Sequence, residues 1–138
     1  MRCPALGWLC AIFSPQSGEE RQHATRILQH LADREVVPQI GALTAPRTNF
    51  ADLIECAQAV FDLERANTRG IHAAYADALK HEDYPAQVML HWFIAEQVEE
   101  EAWSDKMLAK TRQASCAGAL QYLDHHLEKE LAGPGSDQ

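Results

Sequence analysis

The sequence has few cysteines, and their arrangement excludes a disulfide scaffold. There are four in 138 residues, and no two of them form a C-x-x-C pair. This usage is typical of a reducing compartment. The apolar run at residues 6–13 lacks a basic leader and a small-x-small cleavage site before Gln16, so it does not predict secretion. We therefore expect a cytoplasmic protein. The cysteines are Cys3, Cys10, Cys56 and Cys116.

Basic charge and long apolar runs are also lacking. The chain has 12 Lys and Arg against 20 Asp and Glu, which argues against a nucleic-acid partner and suits metal cations or simple solubility. No segment is long and apolar enough to predict a membrane span. Internal repeats, low-complexity tracts and strand-like alternation are absent as well. What remains predicts an all-α fold in one domain, residues 1–138.

Helical periodicity defines four segments. Ser14-Pro15 predicts the first helix start, with residues 1–13 as an irregular or short helical lead; the alternative is a longer helix from near Leu6, kinked at Pro15. Further ends are predicted from caps, turns and breaks in the apolar pattern. The predicted helices span 14–34, 48–80, 84–110 and a short 119–131, followed by a flexible tail at 132–138. Thr48-Asn49 is the predicted cap of the second helix. The third helix is predicted to follow a turn, with Asp83 or Tyr84 as its cap and Pro85 in its first turn.

The connection at residues 35–48 is long and carries Pro38, Gly41 and Pro46. Adjacent antiparallel helices are usually joined by two to eight residues. A connection of this length predicts a crossover along a helical bundle, joining parallel helices.

An acidic block in the third helix places four carboxylates in residues 96–101. Such a run is usually a solvated face. Here helical spacing sets Glu96 and Glu99 on an apolar stripe that runs from Val88 through Trp92 to Met107, and Glu100 lies beside them. The stripe therefore predicts carboxylates facing a core, where they would need a cation.

Two other helices add candidate ligands. Glu20 and His23 form a Glu-x-x-His pair that could bind one metal ion, although a satisfied histidine at a helix contact is the simpler interpretation. Glu64 lies among core positions between Phe61 and Thr68, where it could instead pair with an arginine or extend to solvent.

Together these groups predict five or six buried acids, which would require cations. Oxygen ligands with one imidazole suit iron, manganese or zinc. In our interpretation Glu20 bridges two ions, His23 is terminal on one, and Glu64 with Glu100 on the other. Such a site favours oxygen chemistry at iron over two-metal hydrolysis, which would usually use more histidine.

The sequence resembles the non-haem bacterial ferritins from about Gln16 to Leu131. Bacterioferritins are less similar, because Gln97 and Glu100 stand where their second Glu-x-x-His would fall. Residues 1–13 match only the loop before the family's second helix, so the ferritin-like bundle is expected to lack its first helix. The motifs that carry the resemblance are Glu19-Glu20-Arg21-Gln22-His23-Ala24, Phe61-Asp62-Leu63-Glu64-Arg65, Asp83-Tyr84, the block 92–101 and Leu120-Gln121-Tyr122-Leu123-Asp124.

The resemblance implies an iron-storage subunit that oxidises Fe(II) with dioxygen or peroxide and deposits ferric mineral in a homo-oligomeric shell of about two dozen subunits. It implies a di-iron ferroxidase centre and an adjoining iron site that shares Glu100, with Trp92 beside the centre. Its implied centre residues are Glu20, His23, Glu64, Gln97 and Glu100, and those of the adjoining site are Glu19, Glu96 and Glu99.

Two other functions stay open at this point. A chain without the family's first helix lacks one terminal glutamate ligand, so it could be a structural subunit that binds iron without rapid oxidation. A short helical bundle that binds zinc or manganese for stability is the third hypothesis.

Overall fold

The computed structural model describes the backbone of residues 5–114 and the side chains of residues 13–114. This part of the chain holds three helices and no strand, which confirms the all-α prediction: α1 (Ala5–Asp33), α2 (Leu53–Lys80) and α3 (Tyr84–Gln113). Within it, residues 5–48 belong to one compact unit and residues 49–114 to another. The predicted helix at 119–131 and the tail lie outside the described residues. None of the three helices has a stretch apolar and long enough to cross a bilayer.

Helix α1 is longer than the Ser14-Pro15 cap predicts. It begins at Ala5 and contains Pro15, which corresponds to the alternative of a longer helix. Proline has no N–H to donate to the carbonyl four residues earlier, so one helical hydrogen bond is missing at this point. The predicted end near Asp33-Arg34 is confirmed. Beyond it the backbone N–H of Glu35 donates to the carbonyl of Ala32 at 2.9 Å, and Glu35 adopts φ 57°.

The connection between α1 and α2 contains no helix, as its composition predicts. The predicted cap at Thr48-Asn49 is wrong, because α2 is capped by Asp52. The Asp52 carboxylate accepts the backbone N–H of Glu55 at 2.8 Å, and the Glu55 carboxylate in return accepts the N–H of Ala51. These two bonds satisfy the backbone N–H groups of Glu55 and Ala51 at the helix start, in an arrangement that resembles a capping box.

The turn between α2 and α3 follows the prediction. Asp83 caps α3 by accepting the backbone N–H of Ala86 at 3.1 Å, and Pro85 lies in the first turn. Glu82 has φ 54°, the left-handed conformation that reverses the chain after a helix. The tight turn makes α2 and α3 an antiparallel hairpin.

The buried face of α3 repeats every seven residues, with spacings of three and four. Its counterpart on α2 buries Ala57, Glu64 and Ala78. Such a repeat keeps one narrow seam facing the partner helix. The buried α3 positions in this series are Leu90, Phe93, Gln97, Glu100, Ser104, Met107, Thr111 and, just past the helix, Ala114.

Most of the predicted stripe on α3 therefore lies off this seam, although Met107, at its end, is on the seam and 2% exposed. Val88 is 73% exposed, and Ala95 and Glu99 are exposed as well. α3 carries large apolar residues around much of its circumference, so Trp92 does not mark the face that packs on α2. On α2 the predicted face is confirmed at Glu64, whereas Leu79 is 51% exposed and Ala78 takes the buried position.

Polar contacts join the hairpin on either side of its centre. Toward the turn, the Tyr75 hydroxyl lies 2.8 Å from His91 Nε2. At the far end, Arg112 donates to Gln58 Oε1 at 2.8 Å. These two hydrogen bonds connect α2 and α3 near solvent, one toward each end of the seam.

Candidate metal centre

Glu64 is the most deeply buried carboxylate in the described part of the chain, with 4% of its surface exposed. Its Oε2 accepts a hydrogen bond from Asn67 Nδ2 at 3.2 Å and a longer one from Gln97 Nε2 at 3.5 Å. Among the described residues no arginine or lysine pairs with it. The guanidinium of the adjacent Arg65 lies over the ring of Phe61 instead, 5.4 Å from its centre. The arginine-paired alternative for Glu64 is thus not what the structure has.

Gln97 connects α3 to α2 at this level of the seam. Besides the Glu64 carboxylate, its Nε2 lies 3.2 Å from the backbone carbonyl of Glu64 and 3.1 Å from Thr68 Oγ1. The Thr68 hydroxyl donates to the same carbonyl at 3.1 Å, so its lone pairs are free to accept from Gln97. All the oxygens around Gln97 Nε2 can accept, which fixes this atom as the amide nitrogen.

Glu100 lies one turn beyond Gln97 on the same seam and is 9% exposed. Glu64 and Glu100 are the buried acids of the described residues, fewer than the five or six that the sequence predicts. The difference comes from the stripe on α3, most of which lies off the seam, and from α1. Glu99 and Glu19 are exposed, and Glu96 is partly exposed.

Glu20 and His23 lie one turn apart on α1, in the other compact unit. The side chain of Glu20 is 47% exposed and that of His23 is 14% exposed, and Glu20 Oε2 lies 3.6 Å from His23 Nδ1. The Glu-x-x-His spacing therefore does bring a carboxylate oxygen and an imidazole nitrogen side by side, as predicted. The imidazole ring is therefore largely covered, whereas the carboxylate remains accessible.

Trp92 lies next to the seam but not on it, close to the polar layer formed by Glu64, Asn67, Thr68 and Gln97. It is partly exposed and packs edge-to-face on buried Phe93, with ring centres 4.9 Å apart. Phe93 is 4% exposed and precedes Gln97 by one turn on the seam. Apolar side chains thus bound the polar layer on this side, which strengthens its electrostatic interactions.

Two contributors to this layer, Asn67 and Thr68, were not predicted as site residues. Thr68 was placed on the inward face of α2, but only the position of Gln97 reveals its role. Asn67 lies three residues after Glu64, a spacing at which an amide can reach a carboxylate on the same helix. That spacing is the one sequence signal that could have found it.

The buried carboxylate oxygens of this site meet only part of what a hard metal cation requires. Within the described residues, no three His, Cys, Asp or Glu side chains form a group that could hold a metal ion. The buried carboxylates of Glu64 and Glu100 nonetheless supply the oxygen ligands that iron and manganese accept. Carboxylates that face inward from helices of a bundle are typical of one class, the carboxylate-bridged metal proteins.

Comparison with known proteins specifies the family. Residues 3–114 match the family model of the ferritin-like domain, and the chain belongs to this family. It is 31% identical to ferritin BfrB of Mycolicibacterium smegmatis over 133 residues, covering 96% of this chain and 72% of that protein. It is 32% identical to a bacterial non-heme ferritin of Staphylococcus aureus over 127 residues, 91% of this chain and 74% of the relative.

Solved structures agree with the family assignment. The open pore ferritin of the archaeon Archaeoglobus fulgidus superimposes with a TM-score of 0.77 at 28% sequence identity, covering 82% of this chain and 70% of that one. The helices described above are therefore part of a ferritin-type helical bundle.

Proposed function

We propose that this chain is an iron-storage subunit that binds Fe(II) at a carboxylate-rich di-iron centre, oxidises it to Fe(III) and deposits ferric mineral inside an oligomeric shell. Iron storage follows from membership of the ferritin family. The oxidation step is supported by the buried acids of the hairpin and by the resemblance of their motifs to the ferroxidase centre of bacterial ferritins.

One observation carries the proposal: Glu64 is 4% exposed and its hydrogen-bond donors are neutral amides. An ionised carboxylate removed from water costs several kcal/mol unless a cation or hydrogen bonds compensate it. Two amide contacts to one oxygen compensate only in part. A bound divalent cation would complete the compensation, and the second buried carboxylate, Glu100, lies on the same seam.

In this proposal Glu64 and Glu100 bind iron from the hairpin, Glu20 bridges two ions and His23 is a terminal ligand. Gln97 lines the centre. Fe(II) is the substrate: two Fe(II) ions each give up one electron, and dioxygen with two protons becomes hydrogen peroxide. With peroxide as the oxidant, the same two electrons and two protons give two water molecules. The adjoining site would use Glu19, Glu96 and Glu99 and share Glu100.

Assembly into a homo-oligomeric shell is supported by apolar side chains on the connection between α1 and α2. Val37 is 83% exposed, Ile40 is 75% exposed and Leu43 is 89% exposed. Clustered exposed apolar residues usually mark a protein interface. We place the assembled protein in the cytoplasm.

The test is anaerobic titration of the full chain with Fe(II), followed by addition of oxygen. We expect saturable binding and then the ultraviolet absorbance of oxo-bridged ferric iron, formed faster than in a protein-free solution. The double variant Glu64→Gln, Glu100→Gln should lose both. Glu101→Gln, which removes a neighbouring charge outside the seam, should retain both and serves as the matched control.

An alternative is a subunit that assembles and binds iron without rapid oxidation. It is favoured by the finding that, within the described residues, no three His, Cys, Asp or Glu side chains form a group that could hold a metal ion. Light scattering would then show a large assembly, while oxygen consumption per Fe(II) would be no faster than in buffer. Rapid, saturable oxygen consumption by the assembled protein rejects this alternative.

A further inference from the structure

We propose that Asn67 is a positioning residue for Glu64: its amide holds one carboxylate oxygen, Oε2, so that the other, Oε1, is the oxygen offered to iron. This inference rests on the proposed function and assigns a division of labour within the same site. It names a residue that the ligand motifs do not contain.

The geometry separates the two oxygens of Glu64. Asn67 Nδ2 lies 3.2 Å from Oε2, and Gln97 Nε2 lies 3.5 Å from the same atom. Within residues 13–114, whose side chains are described, Oε1 receives no hydrogen bond. No fully enclosed polar side-chain atom of the described residues lacks a partner, so Oε1, which has none, is not fully enclosed.

Asn67 makes the stronger of the two hydrogen bonds to the Glu64 carboxylate. A 3.5 Å contact is at the limit of a hydrogen bond, and 3.2 Å is within the usual range. Gln97 Nε2 has two hydrogens to share among the Glu64 carboxylate, the Glu64 carbonyl and Thr68 Oγ1. The two shorter contacts take those hydrogens, so Gln97 orients the backbone more than the carboxylate.

A donor on Oε2 has two consequences for metal binding. It fixes the rotation of the carboxylate about its last side-chain bond, and it draws electron density toward Oε2. A cation therefore binds best through Oε1 alone, since binding through both oxygens would require Oε2 to leave Asn67. Partners of this kind orient metal ligands, and their removal typically weakens metal affinity by about 10- to 100-fold.

The experiment measures Co(II) binding to the full chain by calorimetry and visible absorption, with Co(II) as a stand-in for Fe(II) that is stable in air. Asn67→Ala should weaken Co(II) binding by about tenfold and change the Co(II) absorption bands, because Glu64 becomes free to bind through both oxygens. Asn67→Gln keeps an amide donor and should recover most of the affinity. The matched control Gln58→Ala removes an amide bonded to Arg112 in the same hairpin and should change neither reading.

The outcomes distinguish this inference from the function on which it rests. A wild-type chain that binds no Co(II) and no Fe(II) overturns both. Wild-type binding with unchanged affinity and spectrum in Asn67→Ala overturns the positioning role alone. Asn67 is partly exposed and alanine favours helices, so the variant should fold; Asn67→Leu, which also lacks a donor, must give the same shift. A drop in affinity that Asn67→Gln does not reverse also counts against the inference.

Discussion

Gln97 of α3 donates its side-chain amide to the backbone carbonyl of Glu64 in α2, with 3.2 Å between nitrogen and oxygen. A side chain of one helix thus satisfies the main chain of another at the level of the buried carboxylate. The same nitrogen lies 3.1 Å from Thr68 Oγ1. The polar layer is therefore part of the packing of the hairpin, in addition to the metal binding proposed for its carboxylates.

Replacing Gln97 by leucine should destabilise the metal-free protein by about 1–3 kcal/mol, because several acceptors lose their donor. Urea unfolding followed by circular dichroism measures this change. Gln87→Leu is the matched control, since Gln87 makes a single contact of 3.3 Å to the carbonyl of Ala78. Equal losses in the two variants would contradict the role assigned to Gln97.

Replacing Glu64 by glutamine should separate stability from metal binding. An amide oxygen can take the place of Oε2 and accept from Asn67, and the carboxylate at position 64 is gone, so the metal-free protein should be as stable as wild type or more stable by up to about 1 kcal/mol. Its melting temperature should no longer rise when Fe(II) or Mn(II) is added without oxygen. A stabilisation by metal equal to that of wild type would show that Glu64 is not a ligand.

Loss of the Tyr75–His91 hydrogen bond should lower the stability of the protein without affecting the proposed metal centre. Tyr75→Phe removes a 2.8 Å hydrogen bond near solvent while the ring contact of 5.1 Å can persist. We expect a loss of about 0.5–1.5 kcal/mol in the free energy of unfolding. Iron oxidation by the variant, followed by absorbance, should match wild type; slower oxidation would imply that this pair contributes to the reaction.

Burial raises the pKa of the Cys56 thiol, so the folded state holds this proton more tightly than the unfolded state does. The resulting contribution to stability is present at neutral pH and is lost as the pH rises above the thiol's pKa in the unfolded chain. Alkylation by iodoacetamide at neutral pH should be slower at Cys56 in the native protein than in urea, as measured by peptide mass spectrometry. Equal rates would indicate that the thiol is not shielded.

Local signals in the sequence were sufficient to predict the turn between α2 and α3. They were insufficient to predict which face of α3 packs on α2. Asp83 and Pro85 act on their own neighbours, so the start of α3 could be predicted from them. The packed face of α3 depends on which side α2 approaches, and Trp92 suggested the wrong side because it is large and apolar. The start of α2 was missed because Thr48, Asn49 and Asp52 can all cap a helix. Asp52 is favoured by its bond to the N–H of Glu55, together with the bond from the N–H of Ala51 to the Glu55 carboxylate.

The buried carboxylates of the candidate site could be predicted from the sequence, but the hydrogen bonds around them could not. Glu64 was identified because a carboxylate among core positions is unusual. Asn67 and Thr68 are common residues on an amphipathic helix, and their roles require the position of Gln97, which lies 33 and 29 residues away from Glu64 and Thr68 along the chain. A contact at such separation leaves no local signature in the sequence.

The seven-residue repeat of the hairpin seam has a consequence for helix alignment. Apolar layers alone would tolerate a slip of α3 along α2 by one repeat, because one apolar contact would replace another. Such a slip would move Gln97 away from Glu64 and leave the carbonyl, the carboxylate and Thr68 without its amide. A polar layer at a single level of a repeating seam thus fixes the register, and the alignment that satisfies Gln97 also keeps Glu64 and Glu100 at neighbouring levels.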